Sequence, residues 1–198
     1  MGFNWAEVPG MMPELLRGLG VTVLMTVIIM AISMVVALPV AFGRMSTNPL
    51  LRIPTTIYVQ VLRGTPVLLQ LFYLYYVLPF AGIRLDPWVA GIIGMSLAYS
   101  AYLSEIYRAG IEAIDRGQTE AGLSLGMSRA KVMRIVVLPQ AFRITLPPIG
   151  NIFIGLFKDT SLLSILTIRE LMFEGQVLAA TTFQHITIFT VIAVLYLA

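Results

Sequence analysis

The sequence predicts an all-α integral membrane protein, and three observations predict it. Hydrophobic residues make up 58% and charged residues 12% of the 198, with a mean hydropathy of +0.89, which excludes an ordinary soluble domain. Residues 18–43 carry no charged side chain, enough for a helix of about 20 residues to cross the hydrocarbon core. Further apolar runs recur between short charged stretches, leaving room for about five such spans, the last one truncated in this chain. With no cysteine, disulfides and thiolate metal sites are excluded.

Residues 1–16 read as a short amphipathic lead-in, with Phe3, Trp5, Met11 and Met12 suited to a membrane interface, or as a frayed apolar terminus. Glu7 and Glu14 precede Arg17, so the basic head of a cleaved signal peptide is not expected. The first span covers 18–43, and Pro39 near its end predicts a kink. Arg44 and Arg52 bracket the polar loop Ser46-Thr47-Asn48-Pro49.

The second apolar segment, 53–81, is interrupted by Arg63-Gly64-Thr65-Pro66. At 1.5 Å per residue from Arg52, Arg63 would lie about 16 Å in, near mid-bilayer. A charge there costs at least about 2.5–3.5 kcal/mol unless it faces a cavity or a partner. Gly64 loosens the helix, Thr65 is an N-cap residue type and Pro66 suits a first helical position. Together they predict a broken helix whose second half aims a positive N-terminus at the membrane interior, suited to a carboxylate. The alternative is that Arg63 snorkels or pairs with an acidic residue to hold helices together.

Asp86-Pro87 ends a turn and Trp88 starts the third span, 88–103. Its small residues, among them Gly91, Gly94 and Ala98, favour close helix packing. Tyr99 and Ser100 either line a translocation path or hydrogen-bond within that packing. The helix is expected to run on into the charged region 104–143. The fourth span, 144–157, is short unless it begins near Val136 and is broken, with Pro147-Pro148 at a bend. Asn151 inside it is an interhelical hydrogen bond or a solute contact. Residues 161–170 read as an interfacial or re-entrant element after the adjacent Lys158 and Asp159. The last span starts near Phe183, and the residues from Ile186 to Ala198 are too few to cross. His185, at its start, has no cluster that would make it a metal ligand.

The organising stretch is 120–139, EAGLSLGMSRAKVMRIVVLP, a polar, basic interruption in an apolar chain. Thr119 is expected to cap a short helix carrying Ala121, Leu123 and Leu125. Gly126 would end it in the left-handed conformation, and Ser128 would cap the next helix. Bilayer contact does not need a compact helix–glycine–helix, so it reads as a docking knob. Lys and Arg distribution orients it. Under five spans, Arg44, Arg52, Arg108, Arg116, Arg129, Lys131, Arg134 and Arg143 share one side, against Arg17, Arg84, Lys158 and Arg169. Eight against four puts this loop in the cytoplasm and the N-terminus outside.

No Gly-x-x-x-x-Gly-Lys-Ser/Thr cradles phosphates, no His/Asp/Glu cluster has metal spacing, and one histidine near an end makes no Ser-His-Asp set. A membrane subunit powered by another polypeptide remains. The runner-up, an ion-coupled secondary carrier or channel, would need midplane carboxylates, and the predicted spans contain none.

Glu120-Ala121-Gly122, Gly126, Val136, Leu138 and Pro139 resemble the EAA loop of bacterial ABC-importer permeases, with Gly122 for the third alanine and Val136 for isoleucine. Arg63-Gly64-Thr65-Pro66 with Gln70, Tyr102-Leu103-Ser104-Glu105, Arg108-Ala109-Gly110-Ile111 and Lys158-Asp159-Thr160-Ser161-Leu162 look like the polar amino-acid uptake subfamily, so the resemblance covers nearly the whole chain. It implies one type I ABC-importer transmembrane domain over 1–198, with a coupling-helix loop at about 112–135, in the bacterial cytoplasmic (inner) membrane. It also implies a second permease subunit (a copy or a paralogue), two ATPase subunits holding ATP and Mg, an extracytoplasmic binding protein, and no nucleic acid. Glu120, Ala121, Gly122, Leu125 and Gly126 would dock to the ATPase. Arg63, Thr65, Tyr99, Ser100 and Asn151 would line the path. The chain itself would hold no cofactor and catalyse no reaction. In relatives carrying basic amino acids an acidic residue follows the asparagine at 151. Ile152 stands there instead, which argues against arginine or lysine and leaves glutamine, glutamate, cystine or an amino-acid-like compatible solute.

Overall fold

A computed structural model describes residues 5–197; Phe3 of the predicted lead-in lies outside them. Among these residues all regular structure is helical. Helix α1 (Val8–Met45) merges the expected lead-in and first span and continues through Pro39. It is followed by α2 (Pro49–Gly64), α3 (Val67–Phe72) and α4 (Pro87–Glu112). Then come α5 (Arg116–Ser124), α6 (Arg129–Val132), α7 (Leu138–Asp159), α8 (Leu171–Thr182) and α9 (His185–Leu197). Among the described residues three continuous helical stretches are long and apolar enough to cross a membrane, Trp5–Met45, Pro87–Glu112 and Arg129–Leu166, while α2 and Val67–Ala81 form a pair bent by 103° that makes a fourth only if counted as one broken span. The fifth predicted span is α9, whose 13 residues fall short of a bilayer crossing.

Two π-helical turns share one sequence cause. Tyr73–Val77 and Met133–Val137 are each followed by Leu-Pro, at Leu78-Pro79 and Leu138-Pro139. Proline has no N–H, and its ring crowds the carbonyl four residues back. Widening the preceding turn to an i→i+5 bond relieves this: Leu78 N–H donates to Tyr73 O and Leu138 N–H to Met133 O. The fourth span is thus helical from Arg129 through this widened turn, and α7 runs on unbroken through Pro147 and Pro148, where a break was expected.

The chain forms two compact units, and α1, α4 and α7 each contribute to both. One unit comprises the chain up to Ala31, Val67–Met95, and Ile154 onward. Its core packs Met11 and Leu15 of α1 with Leu171 and Ala179 of α8 and Ile188 and Ile192 of α9. Gly18 permits this: a Cβ there would stand 3.0 Å from the Leu171 Cα, a backbone atom that cannot yield. The short α9 is held by this core. Residues 171–182, which the sequence pattern did not single out, form α8.

The other unit comprises Ile32–Pro66 and Ser96–Phe153. Ser33 of α1 donates to the Ser96 carbonyl of α4 at 3.2 Å. Ile111, Val132, Val137 and Ala141 form its core beneath the α5–α6 turn, with Met45, Ile114 and Met127 packed against them. As expected, α4 extends beyond Leu103 to Glu112, carrying charged side chains towards α5.

Candidate functional site

The α5–α6 turn is built by side-chain and glycine chemistry in sequence. Asp115, not Thr119, caps α5: its carboxylate accepts from Gly117 N–H at 2.7 Å. Helix α4 stops at Glu112, so Asp115 is the first capping residue type after it, and Thr119 falls inside α5. At the other end Gly126 has φ +78°. Its N–H donates to Leu123 O at 2.9 Å, and Met127 N–H donates to Gly122 O at 3.1 Å. These two bonds are the Schellman arrangement, which requires the left-handed conformation that glycine takes most easily. Ser128 caps α6, accepting from Lys131 N–H at 3.3 Å. Gln140 of α7 donates to the Gln118 side chain at 3.3 Å, tying the turn to the span.

The predicted docking residues divide by exposure. Glu120, Ala121, Leu125 and Gly126 are exposed, with Leu125 at 83%, whereas Gly122 is buried against Val132. An apolar side chain held so far out on a fixed turn is available to a partner surface.

The second feature is a cluster of charges. Glu105 on α4 receives Arg44 from the end of α1, Arg63 from the end of α2 at 3.5 Å, and Arg108 from its own helix at 3.2 Å. Arg108 also binds Glu112 at 2.6 Å. Three guanidinium groups face two carboxylates, so one positive charge is in excess. The Arg63 guanidinium carbon also lies 5.4 Å from the centre of the Tyr102 ring, a cation–π distance. Side-chain exposure is 17% for Arg44, 30% for Arg108 and 43% for Arg63, so Arg63 is the most open of the three.

These contacts revise the depth of Arg63. Arg44 lies one residue from the end of α1, and Glu105 is only about 10 Å of helix from the end of α4 that leads into α5. The Arg63 head is therefore level with the α5 end of these helices and not midway along them. The mid-bilayer expectation assumed that α2 runs straight along the membrane normal.

The other predicted path residues are distributed differently. Thr65 follows α2 in extended backbone, and its hydroxyl donates back to Val61 O at 2.9 Å. That bond satisfies one of the orphan carbonyls at a helix end. Tyr99 is buried, its ring 6.2 Å from that of Tyr102. Ser100 is buried and donates to Leu97 O at 2.7 Å, with the Tyr58 hydroxyl 2.7 Å away. This makes it part of α2–α4 packing. Asn151 is exposed on α7.

A buried carboxylate went unpredicted. Glu170, fully buried, caps α8 by accepting from Phe173 N–H at 2.7 Å and Met172 N–H at 3.0 Å. It also accepts from the Tyr196 hydroxyl at 2.9 Å and the Thr22 hydroxyl at 3.4 Å. Burial pushes its carboxyl above the usual range, although these bonds pull the other way. Arg169 beside it pairs with Glu174 at 2.8 Å.

Comparison with known proteins adds to this geometry. Residues 33–198 match the family described as the binding-protein-dependent transport system inner membrane component. The L-cystine transport system permease protein TcyB of Bacillus subtilis is 41% identical over 89% of the chain and 75% of its own length. The glutamine transport system permease protein GlnP of Escherichia coli is 35% identical over 100% of the chain and 91% of its own length. Among solved structures, the crystal structure of an amino acid ABC transporter with histidines superposes with a TM-score of 0.94 at 32% identity, covering 100% of this chain and 92% of that one. The inward-facing MetNI methionine ABC transporter, at a TM-score of 0.76 and 19% identity over 94% of this chain and 91% of that one, shares the fold.

Proposed function

The chain belongs to the family of binding-protein-dependent transport system inner membrane components, and from that membership we propose that it carries a polar amino acid or amino-acid-like solute across the bacterial inner membrane by alternating access. It is a multi-pass permease subunit of an ABC importer. Two copies, or this chain and a paralogue, would form the pathway above two ATPase subunits that hold ATP and Mg. An extracytoplasmic binding protein would deliver the solute. The N-terminus lies outside and the α5–α6 turn in the cytoplasm. ATPase closure would push the α5 turns together and open the path outward; hydrolysis would return it inward.

The observation that carries this reading is the turn itself. Its backbone is fixed by Asp115, Gly126 and Ser128, while Glu120, Ala121 and Leu125 remain exposed. The path assignment rests on the excess positive charge at Arg63, which suits a solute carboxylate. Because the chain has no cysteine, Leu125→Cys provides a single reporter thiol. Cross-linking of that thiol to a copurifying ATPase subunit is expected. Absence of both the cross-link and the ATPase would overturn the proposal.

A further inference from the structure

We propose that Glu105 is a release residue: on the cytoplasmic side it displaces the solute's carboxylate from Arg63. This rests on the reading that Arg63 lines the path. A guanidinium that binds a carboxylate well also retains it, so uptake needs a competitor that restores the resting state. Glu105 supplies the same chemical group as the solute and already stands 3.5 Å from Arg63. That separation is an ion-pair distance, longer than the 2.6 Å bond between Arg108 and Glu112.

The surroundings favour exchange over permanent pairing. Arg44 and Arg108 remain on Glu105 when Arg63 leaves, so Glu105 is never left as an unpaired charge. Arg63 in turn keeps the Tyr102 ring beside it and occupies the residue before Gly64, where α2 ends. Arg44, Arg63 and Arg108 against Glu105 and Glu112 leave one positive charge, which draws a carboxylate and repels an ammonium group. The device therefore acts on the carboxylate of the solute and not on its amine.

The test uses the chain assembled with its ATPase and binding protein in proteoliposomes. Free glutamine, glutamate and cystine, with the α-carboxamide of whichever is taken up, serve as probes. Glu105→Gln should lower both half-saturation and maximal uptake. The nucleotide-free complex should bind the free amino acid about two- to fivefold tighter, the worth of a partly exposed ion pair. Affinity for the carboxamide should not change, and Arg63→Ala in the Glu105→Gln background should abolish the gain. Equal or weaker binding by Glu105→Gln, or equal tightening for the carboxamide, would overturn the proposal. Should Glu105→Gln not assemble, Glu105→Asp, which draws the charge back by one methylene, should show the same shift in smaller measure, and no shift would be contrary. Absence of ATP-driven uptake by the wild type would defeat the transport reading first and this proposal with it. Normal uptake by Arg63→Ala would defeat the release mechanism alone.

Discussion

Gly122 and Val132 meet so closely across the α5–α6 turn that a Cβ on Gly122 would stand 2.8 Å from Val132 Cγ2. Valine is stiff at χ1, so it yields only by moving the turn. Gly122→Ala should cost about 1–3 kcal/mol of local stability and reduce ATP-coupled uptake. Val132→Ala in the same chain should restore much of it. Uptake by the single variant equal to wild type would show that the turn tolerates the displacement.

Gly126 fails for a different reason. Nothing lies within 4 Å of a Cβ there, yet φ is +78°. An L-residue pays about 1–2 kcal/mol for that conformation, and asparagine tolerates it best. Gly126→Asn should therefore retain uptake. Gly126→Asp, which adds a negative charge to the exposed turn, should insert normally but hydrolyse ATP without transport. Paired measurement of hydrolysis and uptake checks this, and normal coupling in Gly126→Asp would remove the residue from the docking set.

Arg63→Ala should lower uptake of carboxylate-bearing solutes at least about tenfold, since it removes one partner of a charge pair. ATPase assembly should persist because Arg44 and Arg108 still hold Glu105. Radiolabelled uptake beside pull-down of the ATPase separates the two effects.

The environment of Glu170 gives a pH dependence. Its carboxyl is raised by burial, so the folded chain holds that proton more tightly than the unfolded chain. Stability should be greatest at or below the ordinary carboxylate pKa and fall as pH rises through the raised value. The groups facing it are Tyr196, Thr22 and the backbone N–H groups of α8, while neighbouring Arg169 is engaged with Glu174. Thermal unfolding of the detergent-solubilised complex across pH should show this slope, and Glu170→Gln should flatten it.

Local chemistry was legible in the sequence where it depends on neighbours along the chain. The left-handed Gly126, the Ser128 cap and the continuation of α4 all follow from residues within one or two turns. Choices between competing polar residues were less legible. Asp115 takes the cap expected of Thr119 because α4 ends at Glu112 and α5 begins at Arg116. Least legible were the clusters joined across the chain. Glu105 gathers Arg44 and Arg63, and Glu170 gathers Thr22 and Tyr196; no periodicity encodes those pairings. The π turns before Leu78-Pro79 and Leu138-Pro139 do carry a local signal, the Val-Leu-Pro tripeptide common to both.

The central claim is that this chain is a passive gate driven by nucleotide hydrolysis in a partner. The most direct measurement is amino-acid uptake into proteoliposomes holding the chain, its ATPase and its binding protein, with the proton gradient and ATP varied separately. Uptake should follow ATP on the α5 side and be indifferent to the gradient. Uptake that persists without ATP and collapses with the gradient would contradict the account and identify an ion-coupled carrier.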